Sequence, residues 1–154
     1  MTFILSTRSL RNLQGVNTAL VEVVKRAIQL TKVDFAVTEG LRSLARQKEL
    51  VAKGASQTMA SKHLTGEAVD LVAFLGGRIS WEVTLYDEIA DAMQQAAREQ
   101  DVPVRWGGAW TISDIRRWNG TMAAAMTQYV DDRRRAGKRP FIDAPHFELA
   151  YPAT

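Results

Sequence analysis

The sequence predicts an α+β fold, a small and mostly antiparallel sheet flanked by helices within a single domain. Three observations lead there. Apolar residues recur at helical spacing in several segments, and short β-prone segments bounded by glycine or proline lie between them. The two kinds of segment follow one another in mixed order, not in strict strand–helix alternation. Finally, 154 residues suit one domain of ordinary size. With 46% hydrophobic residues and a net charge of +3, the chain is too apolar and too weakly charged for disorder. It shows no repeat, low-complexity tract or Pro/Ser linker, so residues 1–154 are expected to form one unit.

Each element has its own local reason. Asn17 caps a helix running to about Thr31, with Leu20, Val23, Val24, Ala27 and Leu30 as its buried stripe. Val33 to Thr38 reads as a strand, because Val33, Phe35 and Val37 alternate with Asp34 and Ala36. Ser43 to Lys53 is a second helix, stopped by Gly54. Glu67 to Phe74 is a strand ended by Gly76-Gly77. Leu85 to Gln100 is a helix whose Ile89, Ala92, Met93, Ala96 and Ala97 lie opposite charged positions. Val102 to Trp106 is a short strand entering the Gly107-Gly108 turn. Thr121 to Ala136 is a helix with Met122, Met126 and Val130 at i, i+4 and i+8, ended by Gly137. The last strand is His146 to Ala150.

Composition removes several classes of function. No apolar run approaches the roughly 18 residues needed to span a bilayer. The opening Met1 to Arg8 lacks a charged stretch followed by a long apolar one, so no secretory signal is expected. The absence of cysteine excludes disulfides, thiolate-bound zinc, iron–sulfur clusters and thiol catalysis. Any metal must therefore sit on His, Asp, Glu or water. Arg105 to Arg139 holds eight basic residues and three acidic ones, a local +5 against −2 for the rest of the chain. Such a stretch suits a polyanionic partner, or is simply a solvated helix face. No helix-turn-helix is recognisable and the aromatic pattern of the common RNA-binding sheet is missing, so nucleic acid is not expected as a partner.

Only two histidines exist, and both lie in glycine- or proline-framed segments beside apolar strands. In Ser61-Lys62-His63-Leu64-Thr65-Gly66-Glu67-Ala68-Val69-Asp70, Gly66 permits the tight turn that brings His63 back toward the strand. On that strand Ala68, Asp70 and Val72 share one face, and a carboxylate inside an apolar run is costly unless it is paired or metal-bound. In Asp143-Ala144-Pro145-His146-Phe147-Glu148-Leu149, His146 and Glu148 share one face while Phe147 and Leu149 point into the core. Taken singly, His63 reads as a surface or hydrogen-bonded histidine, Asp70 as a turn residue, Asp143 as a cap on the proline turn and Glu148 as an exposed strand residue. If the two strands are neighbours, His63, Asp70 and His146 converge. Two imidazoles and a carboxylate form a three-ligand set for one catalytic zinc on the sheet, leaving a position for a water whose pKa can fall to roughly 7. Asp143, across Pro145 from His146, could move the proton, and Arg42 could serve the oxyanion or a substrate carboxylate.

At these residues the chain resembles the zinc peptidases that group VanY-like D-alanyl-D-alanine carboxypeptidases and dipeptidases with the phage L-alanyl-D-glutamate endopeptidases. The family pattern Ser-x-His-x-x-Gly-x-Ala-x-Asp is met by Ser61, His63, Gly66, Ala68 and Asp70, and its acid-x-x-His element by Asp143 and His146. The likeness extends to Glu39-Gly40-Leu41-Arg42-Ser43 with Gln47 and to Arg105-Trp106-Gly107-Gly108, nearly the whole chain. It implies His63, Asp70 and His146 as zinc ligands, one zinc per chain, and Asp143 as catalytic base. It further implies that Arg42 steadies substrate or oxyanion, that Ser61 hydrogen-bonds near the substrate, and that Gln47 supports Arg42. Leu5 to Val16 is similar to the opening of short phage endolysins in this family. The resemblance therefore implies a monomeric endolysin cutting the L-Ala–D-Glu bond of the peptidoglycan stem peptide. Such an enzyme stays in the host cytoplasm until lysis and then reaches the periplasm and cell wall. The alternative is a D-alanyl-D-alanine carboxypeptidase using the same zinc site; a non-catalytic wall-binding module would not need Asp143.

The chain departs from the family twice. Relatives often read Trp-Gly-Gly-Asp-Trp, where this chain has Ala109, a change expected to alter the substrate groove. About thirty residues, Thr111 to Pro140, precede the Asp-x-Pro-His segment, and this basic helical insert (111–140) is expected to form a cationic flap. Arg133, Arg134 and Arg135 would then contact an anionic wall polymer or the outer membrane, and neutralising them should weaken sacculus binding and its salt dependence.

Overall fold

The computed structural model describes residues 2–56 and 58–150. It is α+β, with a five-stranded sheet at its centre. Helix α1 (Thr7–Asn12) adds to the elements expected from the sequence; six residues are too few for a helical period to show, and Ser6 caps it by accepting from the Ser9 N–H. Helix α2 (Thr18–Leu30) starts where Asn17 accepts from the Ala19 N–H. Its Leu20, Val23, Val24 and Ala27 are buried as expected, with Ile28 rather than Leu30 completing the stripe. Strand β1 (Asp34–Glu39) and helix α3 (Leu44–Ala52), capped by Ser43, follow.

A 3₁₀ turn (Lys62–Thr65) precedes strand β2 (Ala68–Leu75), which folds back through Gly76-Gly77 into strand β3 (Arg78–Ser80). Helix α4 (Val83–Gln100), strand β4 (Val104–Trp106), a second 3₁₀ turn (Ile115–Arg117), helix α5 (Met122–Arg135) and strand β5 (His146–Leu149) complete the chain. The strand order is β1-β2-β5-β4, every pairing is antiparallel, and β3 pairs with β2. In this register Asp70 lies opposite His146 and Ala68 opposite Glu148.

The sheet is two-faced, as strand alternation requires. Phe35, Val37, Val69, Leu71, Ala73, Val104, Trp106, Phe147 and Leu149 point into a core closed by α2 and α4. The residues between them, among them Glu39, Asp70, Val72, Arg105, His146 and Glu148, line an open cleft of about 1110 Å³ on the other face. Residues 111–140 do not stand off the domain as a flap. Met122, Ala125, Met126 and Tyr129 of α5 are buried, and the Met122 N–H donates to Asp91 Oδ1 at 2.8 Å, so this helix belongs to the core. Arg134 and Arg135 are exposed, whereas Arg133 is half-buried and lines the cleft. Ala109 is fully buried in the core, beside Trp110 of the cleft lining. Among the described residues no helix is long and apolar enough to cross a membrane.

Candidate metal centre

The 3₁₀ turn delivers His63. Its cap is Ser61, whose hydroxyl accepts from the His63 N–H at 3.2 Å, so the side chain expected to sit near substrate also holds the histidine's backbone. Gly66 ends the turn at φ +73°, and a Cβ there would lie 2.4 Å from the Gly15 carbonyl oxygen. The chain then enters β2 and reaches Asp70, while β5 supplies His146 at the opposing position.

The three side chains close on one point. His63 Nε2 lies 3.2 Å from both Asp70 Oδ1 and His146 Nδ1, and Asp70 Oδ1 lies 3.4 Å from His146 Nδ1. Their outer nitrogens are already engaged: His63 Nδ1 is 2.8 Å from the Gly40 carbonyl oxygen, and His146 Nε2 is 2.8 Å from Glu148 Oε1. A carbonyl oxygen can only accept, so Nδ1 carries the hydrogen on His63 and its Nε2 lone pair faces inward. The Glu148 carboxylate turns His146 the same way through the opposite nitrogen. This is the pattern of a metal-binding histidine held by an outer partner. Donors around a tetrahedral ion with bonds of about 2.0–2.1 Å stand about 3.3–3.4 Å apart, close to the separations here. His63, Asp70 and His146 can therefore form a metal site.

Without a metal, the charged groups of the cluster hold one another. Burial alone would raise the Asp70 carboxyl, but its pairing with His146 and His63 holds it well below the usual range. Burial pulls the His146 imidazole down, but its bonds to Asp70 and Glu148 carry it up to about 9. Glu148, which burial would raise, is held below its ordinary value by His146 and Lys62. Glu148 is thus buried and paired, not an exposed strand residue.

Asp143 shares the cleft. Burial first, and then the Asp70 charge, push its carboxyl up. Its backbone is fixed on both sides: the Asp143 N–H donates to Gly107 at 2.9 Å, and its carbonyl accepts from the His146 N–H at 3.0 Å. The approach is so close that a Cβ on Gly107 would meet the Asp143 oxygen at 2.2 Å, so only glycine fits there. Trp106 Nε1 fastens the same segment by donating to the Ala144 carbonyl at 2.7 Å.

Arg42 is buried beside the triad. Its Nε and Nη2 donate to the two Glu39 oxygens at 2.7 and 2.9 Å, and Nη2 stands 3.6 Å from Asp70 Oδ2. Gln47, fully buried, accepts from Arg42 Nη1 at 2.6 Å and donates to Ser56 Oγ at 2.9 Å, which places it where a support for Arg42 would be. The structure thus brings together all seven residues singled out from the sequence. Two further carboxylates, Glu39 and Glu148, join them. Glu148 carried a usable signal, since position i+2 on a strand shares the face of His146. Glu39 reaches Arg42 only because β1 turns sharply at Gly40, and local sequence gives no sign of that pairing.

Comparison with known proteins points the same way. The sequence profile of the family described as phage L-alanyl-D-glutamate peptidase matches residues 1–150. The L-alanyl-D-glutamate peptidase of Escherichia phage T5 is 31% identical over 117 residues, 73% of this chain and 85% of that protein. The L-alanyl-D-glutamate peptidase of Listeria phage A118 is 32% identical over 79 residues, 51% of this chain but 27% of its own length. Among solved structures, the Serratia marcescens L-Ala D-Glu endopeptidase ChiX is 41% identical, with a TM-score of 0.71 over 96% of this chain and 91% of that one.

Proposed function

The chain belongs to the phage L-alanyl-D-glutamate peptidase family, and on that premise we propose that it is a zinc-dependent endolysin hydrolysing the L-alanyl-D-glutamate bond of the peptidoglycan stem peptide. The observation that carries this reading is the inward-facing donor set of His63, Asp70 and His146, anchored from behind by Gly40 and Glu148 and sharing a cleft with Asp143. His63 Nε2, Asp70 Oδ1 and His146 Nδ1 would hold the metal. When bound, zinc lowers the pKa of water at the site to roughly 7 and polarises the scissile carbonyl.

The chain's own residues supply the rest. Asp143 takes a proton from the attacking water as its oxygen adds to the alanyl carbonyl carbon. It then gives that proton to the glutamyl nitrogen as the C–N bond breaks, leaving an alanyl carboxylate and a free amine. Burial and the Asp70 charge raise the Asp143 carboxyl, which makes its carboxylate a stronger base toward the water proton, while the departing amine is basic enough to take that proton back. Arg42, its fork fixed by Glu39 and Gln47, steadies the oxygen on which negative charge develops. Ser61 keeps His63 in place and borders the substrate path. In the cell, the protein stays in the host cytoplasm as a monomer until lysis and then acts on the wall. The exposed Arg134 and Arg135 supply its contact with anionic wall or outer-membrane polymers, whereas Arg133, expected to join them, faces the cleft.

The test is mass spectrometry of Gram-negative sacculi digested with the protein, with and without a chelator. New amino-terminal D-Glu and free L-Ala ends, abolished by chelation and restored by zinc, are the expected products. Release of a terminal D-Ala instead would move the assignment to a carboxypeptidase, and no cleavage under any metal condition would remove Asp143 from its catalytic role.

A further inference from the structure

Four cationic side chains line the cleft: Arg42, Lys62, Arg105 and Arg133. Arg42 is paired with Glu39 and Asp70, and Lys62 with Glu148. Arg105 and Arg133, by contrast, have no carboxylate within ion-pair distance among the described residues. Arg105 lies over the Trp110 ring, 5.2 Å from its centroid, and its Nε donates to the Trp110 carbonyl at 3.0 Å. Trp110 in turn stands against His146, with ring centroids 5.4 Å apart. The Arg105 guanidinium is thus two ring contacts from the metal centre.

Arg133 approaches the same cleft from α5. One turn earlier on that helix, the Tyr129 hydroxyl donates to the Phe141 carbonyl at 2.8 Å and accepts from the Phe141 N–H at 3.2 Å. That pair ties the helix to the segment leading into Asp143. The guanidinium of Arg133 makes one long hydrogen bond, Nη2 to the Arg139 carbonyl at 3.4 Å, and its buried Nε meets no acceptor on the protein. Arg116, by contrast, is bound by both Asp114 and Asp101.

We propose that Arg105 and Arg133 form a specificity subsite for the free carboxylate of the glutamyl residue on the leaving side of the scissile bond. The proposal rests on the peptidase reading above. A glutamyl residue has two carboxyl groups and only one continues the chain, so the other is ionised at neutral pH. Guanidinium groups match a carboxylate through paired N–H donors; Trp110 orients Arg105 through its ring and through its carbonyl, which accepts from both Nε and Nη2, while Nη1 meets no acceptor among the described residues. Arg42 is occupied otherwise: it is ion-paired with Glu39 and Asp70 and serves the oxyanion in the reading above. A long polyanion outside the cleft would instead meet the exposed Arg134, Arg135, Lys138 and Arg139.

The experiment uses two synthetic stem peptides containing the L-Ala–D-Glu bond, identical except that this carboxyl is free in one and a primary amide in the other. For the zinc-loaded protein, kcat/KM should favour the free carboxylate by roughly 10- to 100-fold. Arg133→Gln and Arg105→Gln should lose most of that preference by raising KM for the carboxylate peptide, with the amide peptide cleaved as before. Arg133→Lys should restore part of it. Equal cleavage of both peptides by the unmodified protein, or equal slowing of both by the glutamine variants, would overturn the subsite. Calorimetric binding of the same peptides to Asp143→Asn separates this from the peptidase reading. If no L-Ala–D-Glu cleavage occurs, tighter binding of the carboxylate peptide, lost on adding Arg133→Gln, still supports the subsite; equal binding overturns it.

Discussion

At the metal centre each imidazole is oriented by a different kind of acceptor, and only one of the two is open to mutation. The Gly40 carbonyl that fixes His63 is backbone, but Glu148, which fixes His146, can be removed. Glu148→Ala should weaken zinc binding about 10- to 100-fold in chelator competition, the usual cost of losing an outer partner. His63→Ala should abolish stoichiometric binding. Asp143→Asn should behave oppositely, with metal content unchanged and kcat down by about 10²- to 10⁴-fold, the worth of a positioned acid–base group. Hydrolysis by Asp143→Asn at near-normal rates would show that another group moves the proton. The residues of this cluster could be read in the sequence because histidine is scarce and because Gly66 and Pro145 frame the segments that carry it. What surrounds them could not. Alternation places Glu148 beside His146, but whether that face is solvent or cleft depends on Lys62 and on strand order, and a sequence of neighbours along one strand contains neither.

Among the elements, the one under the tightest steric demand is the turn before β2. Gly66 combines a left-handed φ of +73° with a Cβ position 2.4 Å from a backbone oxygen of Gly15, an atom with no rotamer by which to move away. Gly66→Ala should therefore cost about 1–3 kcal/mol in urea unfolding. Because the turn carries His63, zinc affinity should fall in the same variant; a stable protein with unchanged affinity would show that the turn adapts without moving the histidine. The longer elements were legible for the converse reason. Helix α4 repeats its apolar stripe over 18 residues, and the Ser43 and Thr121 caps mark α3 and α5 on local chemistry alone. Strand β3 has three residues and α1 has six, too short for either period to show, although Gly76-Gly77 between Leu75 and Arg78 fits a two-residue hairpin turn. The insertion of β5 between β2 and β4 is a pairing across more than seventy residues, set by how the whole core closes.

For the molecule as a whole, a metal at this site would tie together the turn before β2, strand β2 and strand β5, so its effect on stability should depend on pH in a direction the site dictates. With metal removed, His146 titrates at about 9 in the fold, above the roughly 6.5 of an unfolded chain. Its protonated form therefore stabilises the metal-free fold fully below about pH 6.5, and that contribution is lost as pH rises through 9. Asp70, held low, acts in the other sense: its contribution is present above about 3.9 and disappears only in strong acid, outside the working range. Zinc can bind only after displacing the His146 proton, so affinity should climb with pH up to about 9. The tighter binding enlarges the thermal shift on adding zinc as pH rises. At 100-fold excess over its dissociation constant the metal contributes about 2.7 kcal/mol, which for a chain of this length corresponds to roughly 5–10 °C. At a fixed zinc concentration, differential scanning fluorimetry at pH 6, 7 and 8, with and without chelator, should show the shift growing across the series. His146→Ala should remove both the shift and its pH dependence. A shift in the unmodified protein that stays constant with pH, or is largest at pH 6, would mean that the proton released on metal binding does not come from His146.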